Sequence, residues 1–189
     1  MMQGSLRALA VCLTLALATA SAAQTTSPQA GPATSEISIV EKFCDGAIRG
    51  YSLDAPLDHL LPTHGTYIDG YGAVFFTDVN LVTLPPLFGF GTGITKDDIS
   101  RIHEGKIKRL PAVKELLQHI LLGLPNLLPH LQAEESILLH VRFYSAAFED
   151  RSGLPSRISI SGKKKDLQDI AAGKIAGQAL QAALKMKAE

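Results

Sequence analysis

Residues 64–82 read HGTYIDGYGAVFFTDVNLV, and this stretch decides the fold. Asp69-Gly70 supplies the positive φ angles that a two-residue hairpin turn needs, with strand-forming residues on both sides. That turn sets Ile68 opposite Tyr71, Thr66 opposite Ala73 and His64 opposite Phe75. Side chains alternate between the two faces of a strand, so Tyr71, Ala73, Phe75, Thr77, Val79 and Leu81 share one face, assigned to the core. The same register turns His64 inward. Gly72, Val74, Phe76, Asp78 and Asn80 lie on the other face, apolar near the turn and polar beyond it.

A second period-two pattern runs over residues 136–146, SILLHVRFYSA. Ile137, Leu139, Val141 and Phe143 face one way, while Leu138, His140, Arg142 and Tyr144 face the other. Turn chemistry follows at Glu149-Asp150-Arg151-Ser152-Gly153, and residues 157–161 alternate again with Ile158 and Ile160 inward. Helical periodicity occupies the flanks. A Ser38/Glu41 capping box predicts a helix over 39–49, stopped by Gly50, whose stripe carries Cys44 into the core. Thr95 caps a helix over 96–104, ended by Gly105, and Pro111 opens another that closes at Gly123. Residues 166–172 and 174–187 read as two more helices separated by Gly173. The expected fold is therefore α+β: a single domain over residues 35–189, with an antiparallel sheet of two β-hairpins and helices packed against one face.

The chain has 189 residues, and its 18 basic and 18 acidic side chains balance. Such neutrality gives no reason to expect a nucleic-acid partner. Residues 1–23 combine Arg7, an apolar run and terminal small residues in the manner of a secretory signal, too short to span a bilayer. Cys12 sits inside that run, which argues against lipidation there. Removing the signal leaves Cys44 as the single cysteine, so the mature chain forms no internal disulfide. Residues 24–34, QTTSPQAGPAT, have a spacer's composition and are expected to be disordered. The expected location is outside the cytoplasm, periplasmic or extracellular, with no transmembrane span after cleavage.

Reactive constellations are sparse. None of the six histidines pairs with another at helical ligand spacing, and the hairpin register directs His64 and His140 to opposite faces. The glycines of Gly89-Phe90-Gly91-Thr92-Gly93 miss dinucleotide-loop spacing by one residue and lack a surrounding βαβ pattern, leaving a flap or a connector as readings. There is no G-x-S-x-G elbow, and nothing around Cys44 would lower its pKa. Asp97 and Asp98 are accounted for by the helix start. The sequence thus predicts no catalytic residue, no metal ligand and no cofactor. A ligand or partner surface is expected at Phe88, Phe90, Asp78, Asn80, His140 and Arg142.

Tyr67-Ile68-Asp69-Gly70-Tyr71-Gly72-Ala73-Val74-Phe75, together with the late Lys-Lys-Asp-Leu and Ala-Gly-Lys, resembles a group of exported bacterial proteins without an assigned function. The resemblance implies that hairpin and C-terminal half form one domain. These features favour a non-catalytic binding or envelope-associated module whose partner is a protein or envelope component. The apolar stretch over 116–131 raises a second reading, an apolar-ligand carrier or peripheral membrane protein. A hydrolase with an unrecognised site is a third.

Overall fold

The computed structural model describes residues 31–52, 56–83 and 94–189. Residues 1–23, read as a signal, and most of 24–34, read as a spacer, lie outside them, as does the glycine-rich stretch with Phe88 and Phe90. Helix α1 (Thr34–Arg49) precedes strands β1 (Asp58–Ile68) and β2 (Gly72–Asn80). Helix α2 (Lys96–Gly123) and a 3-10 turn (Leu124–Leu127) lead to β3 (Ser136–Phe143) and β4 (Arg157–Lys163). The chain then forms α3 (Lys164–Ala171), a short α4 (Gln178–Ala183) and β5 (Lys185–Ala188). The five strands follow chain order across one sheet, and the helices pack on it to give the α+β domain.

Both hairpins form, but the sheet is mixed. β1–β2, β3–β4 and β4–β5 are antiparallel, whereas β2 and β3 run parallel because α2 carries the chain back across the sheet between them. Alternation selects most of the inward set, but Tyr71, expected inward, is 40% exposed, and Val74, expected on the other face, is buried. Ala73, Phe75, Val79, Ile137, Leu139, Val141, Ile158 and Ile160 are buried against the α1 and α2 residues Val40, Cys44, Ile48, Val113, Leu117, Ile120 and Leu121. Cys44 is fully buried and unpaired, and burial pushes its thiol up to about 12.

The register of the first hairpin differs from the expectation by one residue. The Asp69-Gly70 turn forms, with Gly70 at φ 72° and Tyr71 N–H donating to Ile68 O at 3.0 Å, but Tyr71 is then an extra residue in the strand. Pairing resumes with Gly72 opposite Ile68, which sets Gly65 against Phe75 and His64 against Phe76. A one-residue slip exchanges the two faces of a strand. His64 is therefore exposed and lies on the sheet face away from the core, correcting its inward assignment. Gly65 takes its place, since a Cβ there would come within 2.5 Å of the Phe75 ring and 2.7 Å of Ile37.

β1 also starts earlier than its sequence suggests and accommodates Pro62 through two irregularities, between His59 and Leu61 and between Leu61 and His64. It is an edge strand, where a missing N–H is tolerated. Helix α1 guards that edge: Asp45 Oδ1 accepts from Thr63 N–H and Glu41 Oε1 from Gly65 N–H, both at 2.8 Å. Glu41 thus caps a strand rather than its own helix, which starts at Thr34, five residues before the expected position. At the opposite edge, β5 is only four residues long and carries Lys185 and Lys187, which disfavours further strand addition.

Two further departures share a physical origin. The two helices expected over 96–104 and from Pro111 are one 28-residue helix, opened by a Thr95/Asp98 capping box, with Gly105 and Pro111 inside it. An interior proline costs about 3 kcal/mol in an isolated helix. Here Ile102, Lys106, Val113, Leu117 and Ile120 are buried on both sides of it, and Arg109 donates to Leu81 O at 2.6 Å. Packing outweighs propensity. In the same way, residues expected to continue a C-terminal helix form β5, with Met186 opposite Ile160.

Most leucines of the 116–131 stretch are buried, and Leu116, Leu122 and Leu127 are partly buried against the core. Leu117, Leu121, Leu124, Leu128 and Leu131 are core residues. Among the described residues, no helix is long and apolar enough to cross a membrane.

Candidate functional site

The sheet face away from the helices carries a cross-strand row set by the slipped register. His64 pairs with Phe76, Phe76 with His140, His140 with Ser159 and Ser159 with Lys187. The rings of Phe76 and His140 lie 5.6 Å apart, tilted by 57°, and His140 Nδ1 is 2.9 Å from Ser159 Oγ. The two histidines expected on opposite faces therefore flank one phenylalanine. Phe76 is 47% exposed, a large apolar side chain in contact with water. Burial lowers the pKa of His140, and the nearby Arg157 charge adds to that effect.

The next row toward the strand ends holds Asp78 and Arg142, paired across β2 and β3. Arg142 Nε donates to Asp78 Oδ1 at 3.0 Å, and Nη2 donates to Oδ2. This two-point bond lifts the Arg142 pKa. Both carboxylate oxygens of Asp78 are thereby engaged and the group is fixed in orientation. Asn80, expected on the same surface, is instead buried and pairs with Asp58, so it does not belong to an exposed patch.

Asp78 and Arg142 lie on the wall of a cleft of about 400 Å³ at the carboxyl ends of the parallel strands β2 and β3. Leu60, Tyr144, Leu154 and Pro155 supply its apolar surface, and Arg151 and Ser145 its further polar groups. Its frame is hydrogen-bonded on several sides. Tyr144 N–H donates to Val79 O at 2.9 Å, and Phe143 N–H to Ser156 O at 2.8 Å. Beneath the loop, Lys106 is almost wholly buried, pairs with Glu149 and donates to Tyr144 O at 2.9 Å. Glu149 Oε1 in turn accepts from Ala146 N–H at 3.0 Å. Comparison with protein-family models, curated proteins and solved structures finds no match.

Of the six residues expected to form a ligand or partner surface, the structure brings Asp78 and Arg142 to the cleft and His140 to the adjoining row. Phe88 and Phe90 lie outside the described residues. Leu60, Tyr144, Leu154 and Arg151 were not among the expected residues. Arg151 reads as one residue of a polar turn, and only the return of β4 beside β3 carries that turn to the ends of the strands. A sequence signal did exist for the loop's support: Lys106 falls on the apolar stripe of α2, and a charge on a core stripe requires a buried partner.

Other titratable clusters serve the fold. Lys164 Nζ donates to the carbonyls of Leu128, Pro129 and Leu131, at 2.8, 3.0 and 2.7 Å. It thereby closes the turn after the 3-10 segment. Tyr67 donates to Glu135 at 2.6 Å, a bond that raises its phenol to about 12. Among the described residues, no group of three or more His, Cys, Asp and Glu side chains could hold a metal ion.

On the helix side of the sheet, the His59 side chain is 4% exposed, with Nε2 3.3 Å from Asp45 Oδ1 and 3.2 Å from Thr77 Oγ1. Burial lowers its pKa, partly offset by Asp45. A base with a lowered folded-state pKa binds its proton more readily when unfolded, so its contribution to stability is lost as pH falls through the ordinary value of 6.5. The melting temperature is accordingly expected to drop between pH 7.5 and 5.5, and to drop less in His59→Asn. Differential scanning calorimetry of both proteins across that range checks this; an equal drop would show that His59 is not the titrating group.

Proposed function

We propose that the protein is an exported, non-catalytic binding module and that the cleft at the ends of β2 and β3 is its ligand site. The observation that carries this reading is the cleft itself, a small-molecule-sized concavity in which apolar walls meet a few oriented polar groups on a braced frame. Among the described residues its one carboxylate, on Asp78, is paired with Arg142, an arrangement suited to holding shape rather than to proton transfer. Export is inferred from the leader-like residues 1–23 and the spacer composition that follows.

The test is a fragment panel screened by amide chemical-shift mapping on the isotopically labelled protein. Hits are expected to perturb residues 142–145 and 154–156 together. Hits confined to other surfaces, or a panel with none, would overturn the site. Turnover of ester or amide substrates by the pure protein, abolished by a cleft substitution, would replace binding with the hydrolase reading.

A further inference from the structure

The cleft's charges are unevenly matched, and this bears on the class of molecule it takes. Arg142 is committed to Asp78 through two bonds. Arg151, in the same cleft, makes a single hydrogen bond to a neutral acceptor, Ser145 O at 3.2 Å. Among the described residues, no carboxylate lies within ion-pair distance of Arg151. A guanidinium carries five donors in a planar fork that matches a carboxylate at two points. Arg151 therefore has unused donors and one uncompensated positive charge beside Leu60, Tyr144, Leu154 and Pro155, of which Leu60 is 39% and Tyr144 48% exposed.

Resting on the reading of this cleft as the binding site, we propose that its ligand is a small amphipathic carboxylate, with its acid group on Arg151 and its apolar body along Leu60, Tyr144 and Leu154. The alternatives fit less well on charge and size. A neutral apolar molecule would strip water from Arg151 without replacing its hydrogen bonds. A cation would meet net positive charge. A di- or polyanion would need more than the one uncommitted cation. The volume of about 400 Å³ falls in the range of small-molecule sites rather than macromolecular interfaces. Because the Lys106–Glu149 pair and the Tyr144 and Phe143 backbone bonds already fix the loop, binding requires little ordering of the protein.

The experiment titrates the purified protein with decanoate, 1-decanol and decylammonium below their aggregation thresholds, using calorimetry for affinity and amide shifts for location. Decanoate is expected to bind in the cleft about tenfold more tightly than decanol, the size of effect that a charge-assisted pair supplies. Arg151→Gln should erase that preference, and Arg151→Lys should restore part of it. Arg151 is exposed, so both variants are expected to keep the wild-type fold, with amide spectra as the check. Equal binding of decanoate and decanol in the cleft would overturn the carboxylate class while leaving the site standing. A decanoate preference unchanged in Arg151→Gln would overturn Arg151 as the anchor. If none of the three probes perturbs the cleft, both this inference and the binding-site reading fall.

Discussion

Glu149→Ala is expected to destabilise the protein by about 3–5 kcal/mol, the usual cost of leaving one member of a buried ion pair alone. Lys106 is 1% exposed, and its ammonium has Glu149 and the Tyr144 carbonyl as partners. Removing the carboxylate strands that charge inside the domain and also frees Ala146 N–H, which Glu149 accepts. Replacing both partners by apolar residues, as in Lys106→Met with Glu149→Leu, removes the stranded charge and is expected to recover most of the loss. Urea unfolding followed by circular dichroism measures both effects, with the midpoint falling at constant slope if two-state behaviour holds. A double variant as unstable as Glu149→Ala would show that this site needs the charges themselves. The same pair supports the loop beside the cleft, so decanoate affinity should weaken in Glu149→Ala even at temperatures where it remains folded.

The strands β3 and β4 were legible because each has one buried face, and burial writes itself as alternation; β2, buried at Val74 and Asn80 as well, was legible from the turn signal before its apolar run. What alternation does not encode is the partner. Nothing in Phe75 or Leu139 says that β2 and β3 run parallel; that follows from the length of α2, which was hidden behind Gly105 and Pro111. The residues that betray α2's continuity are Ile102 and Lys106 on one side of the proline and Val113 and Leu117 on the other, all on the face that meets the sheet. β5 was missed for the opposite reason: alanine-rich sequence favours helix locally, while Met186 gains its packing only once β4 is in place beside it.

The site was less legible than the fold. Asp78 and Arg142 were recognisable as outward residues, yet their pairing depends on the parallel register. His64 and His140 share a row only because Tyr71 is an extra residue after the turn. Arg151 and Leu154 belong to a turn whose sequence specifies a reversal and says nothing about where that reversal is placed. Functional groups carried on connections are positioned by the scaffold around them.

Gly72→Ala should be far more damaging than Gly70→Ala, although the two glycines are two residues apart and both have positive φ. Gly70, at φ 72°, sits at the turn with nothing within 4 Å of a Cβ placed on it. An alanine there bears only the left-handed backbone penalty of about 1–2 kcal/mol. Gly72, at φ 130°, is where β2 resumes pairing after the extra residue, and it lies opposite Ser136 at the start of β3. A Cβ on Gly72 would fall 2.0 Å from Ser136 O and 2.8 Å from Ser136 N, contacts with backbone that no rotamer change can relieve. Opening that approach also threatens the bond from Ser136 N–H to Tyr71 O, 2.8 Å long. The expected loss is roughly 3–4 kcal/mol, combining backbone strain with a forced shift of β3. Urea midpoints of the two variants decide the matter. Equal, mild losses would mean that β2 and β3 can separate at this end without cost, and the slipped register, with the shared face it gives His64 and His140, would then lack the constraint that fixes it.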